Sequence, residues 1–169
     1  MSARPTVDRR DGLVVLTLHE REVQVLHWVF TDLGRMLTDG SSVDAVTQRL
    51  YPRAYLDPTE ESAEAQWQDQ AHDEIVEARL TALTEVVRWL DTAAPIPEEA
   101  DTREIVLGEE QTAQWIGVVN DARLAVGTAL EVTPEWDFDL VDPDVPNYEL
   151  HTLYAWMTQL LGELLASLG

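Results

Sequence analysis

From Tyr148 to Leu168, the residues Leu150, Leu153, Tyr154, Trp156, Met157, Leu160, Leu161, Leu164 and Leu165 fall at the three- and four-residue intervals of a helix. The same period runs through three other long stretches. Apolar residues on such a period can be buried only by laying helix on helix, or helices on a small sheet. Val23, Leu26, Trp28, Val29, Phe30, Leu33, Met36 and Leu37 predict a mostly buried helix that Gly40 stops. A long helix is predicted from Thr59 to Asp91, wet and acidic in its first half and striped with Ile75, Val76, Leu80, Leu83, Val86, Val87 and Leu90 in its second. Glu109 to Leu130 predicts another, carrying Trp115, Ile116, Val119, Leu124 and Val126.

Strand signals occur only ahead of the first and third of these helices. Val7 to Leu18 reads as two β-prone runs around Asp11-Gly12, a dipeptide suited to a hairpin turn with positive φ. Leu13, Val15 and Thr17 would point one way, and Val14, Leu16 and Leu18 the other. Thr17-Leu18-His19-Glu20 matches a capping box with Thr17 as the cap. Glu104 to Leu107 reads as a further strand. Ser42 to Leu50 reads as a short helix ended by Pro52, with Tyr51, Tyr55 and Leu56 in a loop packed on the core. Asp57-Pro58 reads as a turn, Ala93 to Pro97 as a linker, and Thr133-Pro134-Glu135 as the start of a short helical turn. An offset of 89 residues sets Leu18 on Leu107, Glu20 on Glu109, Leu26 on Trp115 and Asp32 on Asp121. The expectation is a mainly α fold, with a small antiparallel sheet made of the N-terminal hairpin and one strand near 104–107. It would be a single domain over 1–169, with two similar strand-helix halves at 1–92 and 100–169.

Charge narrows the function classes. The formal net charge is −21, and all 11 basic residues are arginine. Residues 1–21 balance to +1, so the remainder carries −22. DNA binding depends on cations that displace counterions from phosphate, so direct nucleic-acid binding is not expected. The absence of cysteine excludes disulfides, cysteine zinc sites, thiol nucleophiles and thiol switches. No apolar run approaches the roughly 20 residues of a membrane span, and no apolar stretch of signal-peptide length follows the polar residues Met1 to Arg10. A cytoplasmic protein without membrane attachment is expected.

Motifs of catalysis are sparse. Asp137, Asp139, Asp142 and Asp144 alternate like a calcium loop, but Asp142 stands where that loop needs glycine and Tyr148 where it needs a bidentate glutamate. His19, His27, His72 and His151 form none of the short pairs that bind zinc or bridge two irons. There is no nucleophile elbow and no glycine-rich phosphate loop. No cofactor is implied. An enzyme reading would make the chain a metal-dependent hydrolase built on the acidic 137–144 loop with a histidine.

The most specific local run is Asn120-Asp121-Ala122-Arg123-Leu124. Arg123 is the only base after Arg103, and eight acids follow it. Its planar fork suits a semi-buried carboxylate, and Asn120 shares its helix face. It either clamps its helix to an acidic segment such as 135–149 or docks the carboxylate of a partner or a small anion. Trp28, Trp89, Trp115 and Trp156 lie in apolar stripes and are expected in the core. Trp67, on the acidic half-helix, and Trp136, in the acidic loop, are candidate interface anchors, with packing in a dimer or under a loop as the other reading.

The run from Leu107 to Leu130, with Asn120-Asp121-Ala122-Arg123-Leu124-Ala125-Val126-Gly127-Thr128, resembles an actinobacterial domain-of-unknown-function family that includes the oxidative stress regulator AosR. Leu153-Tyr154-Ala155-Trp156-Met157 and the Arg79-Leu80-x-x-Leu83 helix fit as well, so the resemblance spans nearly the whole chain. It implies a non-enzymatic regulator of oxidative-stress gene expression that acts through a protein partner. The acidic field would steer a basic partner, such as a component of the transcription machinery, and a homo-oligomer is also open. Lacking cysteine, this chain would read its partner's redox state and would not sense oxidant itself. Met36 and Met157 sit in apolar stripes, where oxidation would disrupt packing. Diamide should therefore leave electrophoretic mobility and thermal melting of the purified protein unchanged. A reversible shift in the melt at peroxide levels too low to oxidise buried methionine would refute this.

Overall fold

A computed structural model describes Pro5 to Asp39, Leu50 and Asp57 to Gly169. The expected helix from Ser42, the Gly40 stop and the Tyr51, Tyr55 and Leu56 loop lie outside these residues. Strands β1 (Thr6–Arg10) and β2 (Leu13–His19) form the N-terminal hairpin. Helix α1 (Glu20–Asp39) follows, then a 3-10 turn at Pro58–Glu60 and helix α2 (Glu61–Asp91). The second half contributes β3 (Ala94–Pro95), β4 (Thr102–Leu107), α3 (Glu109–Ala129), a 3-10 turn at Phe138–Leu140, and α4 (Tyr148–Ala166). The fold is mainly α, with a four-stranded antiparallel sheet in the order β1-β2-β4-β3. Among the described residues, each half thus supplies a hairpin and then two helices, and the two hairpins meet at β2 and β4. No described helix is long and apolar enough to cross a membrane.

The hairpin forms because Asp11 (φ 52°) and Gly12 (φ 83°) both take left-handed backbone, as a two-residue turn of this twist requires. Alternation then divides the sheet. Val14, Leu16 and Leu18 of β2 and Ile105 and Leu107 of β4 enter the core shared with the helices. On the outer face Val15 is nonetheless buried. Its cross-strand neighbours are Asp8 and Val106, and the Arg10–Glu104 ion pair (2.9 Å) joins the strands on either side of β2, so its long side chains pass over Val15.

The capping box sits two residues later than expected. His19 is the residue before α1, its amide donates to Glu22 Oε2 (2.8 Å), and its Nδ1 accepts from the Arg21 amide (3.2 Å). The reason is pairing. Thr17 and Leu18 are held in β2 opposite Glu104 and Arg103, so the chain cannot turn helical before His19. The Glu20 amide donates to the Asp101 carbonyl (2.7 Å) and so also finds a partner, in the other half of the chain. Ala94 and Pro95, expected in a linker, pair with Glu104 and Arg103. A strand with proline is tolerated there because β3 is at the sheet's edge. The helical turn expected at Thr133 is instead a turn in which the Trp136 amide donates to the Thr133 carbonyl (3.0 Å), and the 3-10 turn comes later, at Phe138.

The core centres on Trp115 of α3, fully buried and meeting Phe30 of α1 edge-on at 6.2 Å between ring centroids. Trp156 is buried and Trp89 packs half-buried against the core. Trp28, however, is 59% exposed, which corrects the expectation that it lies inside. It stands on the opposite side of α1 from Leu26, Phe30, Leu33 and Leu37, and the apolar content of the helix hid its true face. Replacing Trp115 by alanine should cost about 3–5 kcal/mol, whereas Trp28→Ala should stay within about 0.5 kcal/mol. Urea denaturation of the two variants measures the difference, and comparable losses would contradict this assignment of the core.

Candidate functional site

The run Asn120 to Gly127 lies on α3 where that helix touches both α2 and α4, and each of its residues has a distinct task. Asp121 points to α2 and forms an ion pair with Arg79. Arg79 also donates from Nη2 to the Leu50 carbonyl (2.9 Å). Burial pushes the Asp121 carboxyl above its ordinary value, against the opposing pull of the Arg79 hydrogen bond and charge. The pair is partly buried on both sides, so it fixes how α2 meets α3 more than it adds net stability. Ala122 and Ala125 are buried, small enough for the neighbouring helices to come close.

Arg123 points the other way, to α4. Its Nη1 donates to the Tyr154 hydroxyl (3.1 Å) and its Nη2 to Asn120 Oδ1 (3.2 Å), and the guanidinium carbon lies 5.6 Å from the Tyr154 ring centroid. The clamp expected of Arg123 therefore exists, but it holds a tyrosine of α4 and no carboxylate of 135–149. Gly127, one turn further on, explains how the ring fits. A Cβ at Gly127 would lie 2.6 Å from Tyr154 Cε2, inside any real contact.

Tyr154 opens an aromatic cluster that anchors the acidic loop. Trp136 meets it edge-on at 4.9 Å and lies parallel to His151 at 6.0 Å, with the indole N–H donating to His151 Nδ1 (3.2 Å). Phe138 stacks on Tyr148 at 5.7 Å. Trp136 is therefore half-buried beneath the loop. Trp67, also half-buried, lies on α2. Arg123 and Trp136 meet at Tyr154, whereas Asp121 faces α2.

The four loop aspartates are all exposed. Asp137 accepts from the Asp139 amide (3.0 Å) and Asp142 from the Asp144 amide (2.9 Å), so two of the carboxylates turn back onto their own backbone. Among the described residues, no group of three or more histidine, cysteine, aspartate or glutamate side chains is placed to hold a metal ion. Sequence reasoning does not find Tyr154 and Arg79 as partners of this run, because they lie 31 residues from Arg123 and 42 from Asp121 and meet them only through helix packing.

A family model described as a domain of unknown function, DUF2017, matches residues 3–168. The chain belongs to that family. No curated protein and no solved structure matches it. In this DUF2017 chain the 120–127 run is thus a three-helix junction, joining α2 through Asp121 and α4 through Arg123 and Gly127. Gly127→Ala should destabilise the protein by about 1–3 kcal/mol, as overpacking does. In a Tyr154→Ala background, where the ring is gone, the same change should cost less than about 0.5 kcal/mol. Equal costs in the two backgrounds, measured by urea denaturation, would show that the close approach is not the cause.

Proposed function

We propose that this protein is a non-enzymatic, cytoplasmic regulator that works by binding another protein, in the transcriptional response to oxidative stress. The observation that carries the reading is electrostatic. A net charge of −21 leaves an acidic surface that attracts basic partners and repels phosphate backbones. Arg123 engages Asn120 and Tyr154, and Asp121 engages Arg79, within the fold, so the proposed partner belongs on the acidic exterior and not on this junction. The resemblance to the actinobacterial regulators supplies the biological setting, with AosR as the proposed relative and a high-GC source in keeping with the arginine-only composition. The partner is a basic protein, and the transcription machinery offers such partners. Without cysteine, the protein would respond to the state of its partner.

Immobilised protein should retain a partner from lysate of its source at low salt and release much of it at high salt. It should leave the mobility of duplex DNA unchanged at low salt. Failure to retain any protein at either salt, or a DNA shift at low salt, would overturn the proposal.

A further inference from the structure

The groove between α1 and α2 has the chemistry of a docking site. The two helices run antiparallel, with His27 paired to Asp91 at one end, and approach closely at Gly34, where an added Cβ would meet Leu83 Cδ2 at 3.3 Å. Above that contact lies an open groove of about 490 Å³ whose floor is Phe30, Leu80, Leu83 and Val87. It shares Leu80 and Thr84 with a second concavity of about 420 Å³ that continues along α2 past Val76. From Val76 to Val87 the apolar row is roughly 17 Å long at 1.5 Å per helical residue, which is three turns of a docked helix.

Its border decides the occupant. Asp73, Glu77, Thr81 and Glu85 follow one another at four-residue intervals along α2 and form one continuous ridge beside the apolar row. Asp73 is 97% exposed and Glu77 is exposed, while Glu85 is paired with Arg88 at 2.5 Å. The opposite lip, on α1, offers Thr31, Arg35, Thr38 and Asp39, so among the described lining residues Arg35 is the one cation. An acidic segment or a nucleic acid would meet the ridge with like charge. So would a second copy of a chain carrying −21.

We propose that this groove receives an amphipathic helix of a partner protein, apolar on the side that enters the groove and bearing lysine or arginine on the flank facing the Asp73–Glu85 ridge. The proposal rests on the basic-partner reading above and names the surface that serves it.

The probe is a fluorescently labelled synthetic helix of about 14 residues, with leucines at helical spacing and lysines on one flank. A version with glutamates replacing the lysines is the control, and anisotropy is followed on adding the full-length protein. The lysine peptide should bind at low salt and the glutamate peptide should not. Reversing the ridge together (Asp73→Lys, Glu77→Lys, Glu85→Lys) should weaken binding about tenfold or more, and so should filling the groove with Thr84→Tyr. Reversing Asp137, Asp139 and Asp142 to lysine makes the same charge change elsewhere and should matter less than about threefold. Circular dichroism confirms that each variant is folded.

Equal weakening by the two triple variants would mean that diffuse charge alone attracts the peptide. That would remove the groove and leave the basic-partner reading intact. No binding of the lysine peptide to the unmodified protein at any salt would also overturn the groove. Retention of a lysate partner by a protein with the reversed ridge would do so too, while sparing the broader reading.

Discussion

The pairing of β2 with β4 is the contact on which the rest of the molecule depends. Among the described residues each half of the chain offers a hairpin and two helices, and neither hairpin alone has a partner for its inner strand. Antiparallel registry of Val14 with Leu107 and of Leu16 with Ile105 aligns the apolar alternation of both strands on one face. A slip by one residue would turn Leu16 and Leu18 outward and leave the helices without a floor. The same registry sets α1 and α3 over the centre of the sheet, so Phe30 meets Trp115. It also brings Asp101 to the Glu20 amide and Arg103 to the Glu20 carboxylate (3.1 Å), joining the halves at the start of α1.

Around that centre, α3 does most of the joining. It is packed on both flanks, and its residues divide the work by size and charge. Small residues face the closest approaches, with Ala122 fully buried and Gly127 under the Tyr154 ring. Longer polar residues bridge the wider gaps, Asp121 to Arg79 and Arg123 to Tyr154. Buried polar contacts of this kind add little net energy, but mispairing them would be costly, so they favour one arrangement of the helices over others. Trp136 carries the order outward by pinning the acidic loop to His151 and Tyr154.

The charge of the chain is arranged with the same division. Described arginines that face the interior, Arg79 and Arg123, are engaged by Asp121, Leu50, Asn120 and Tyr154. Most described acids of α2 and all four aspartates of the 137–144 loop remain on the outside, while Glu22 and Glu64 are buried. In the proposed function, that acidic surface would draw in a basic partner through its long-range field while the apolar groove fixes the pose.

Much of this was legible in the residue order. Asp11-Gly12 required a hairpin because positive φ is needed at both positions, and the long apolar stripes required helices because no other repeating structure puts such residues on one face. The small sheet, the four described helices and the acidic surface follow from those local facts. Trp28 escaped because a helix rich in apolar residues does not reveal which side is buried until a neighbour covers one of them. The cap at His19 was misplaced because strand pairing with β4 overrides the local signal at Thr17. The strand at Ala94-Pro95 exists only because β4 offers it an edge. The 120–127 run stood out as specific, yet its meaning lay in Arg79 and Tyr154. Sequence by itself determined which segments are helical or extended and where the charge lies, since those are properties of neighbours along the chain. Tertiary structure alone decided which face is buried, which partner each polar group meets and where a groove remains open, since those depend on contacts between residues far apart in the chain.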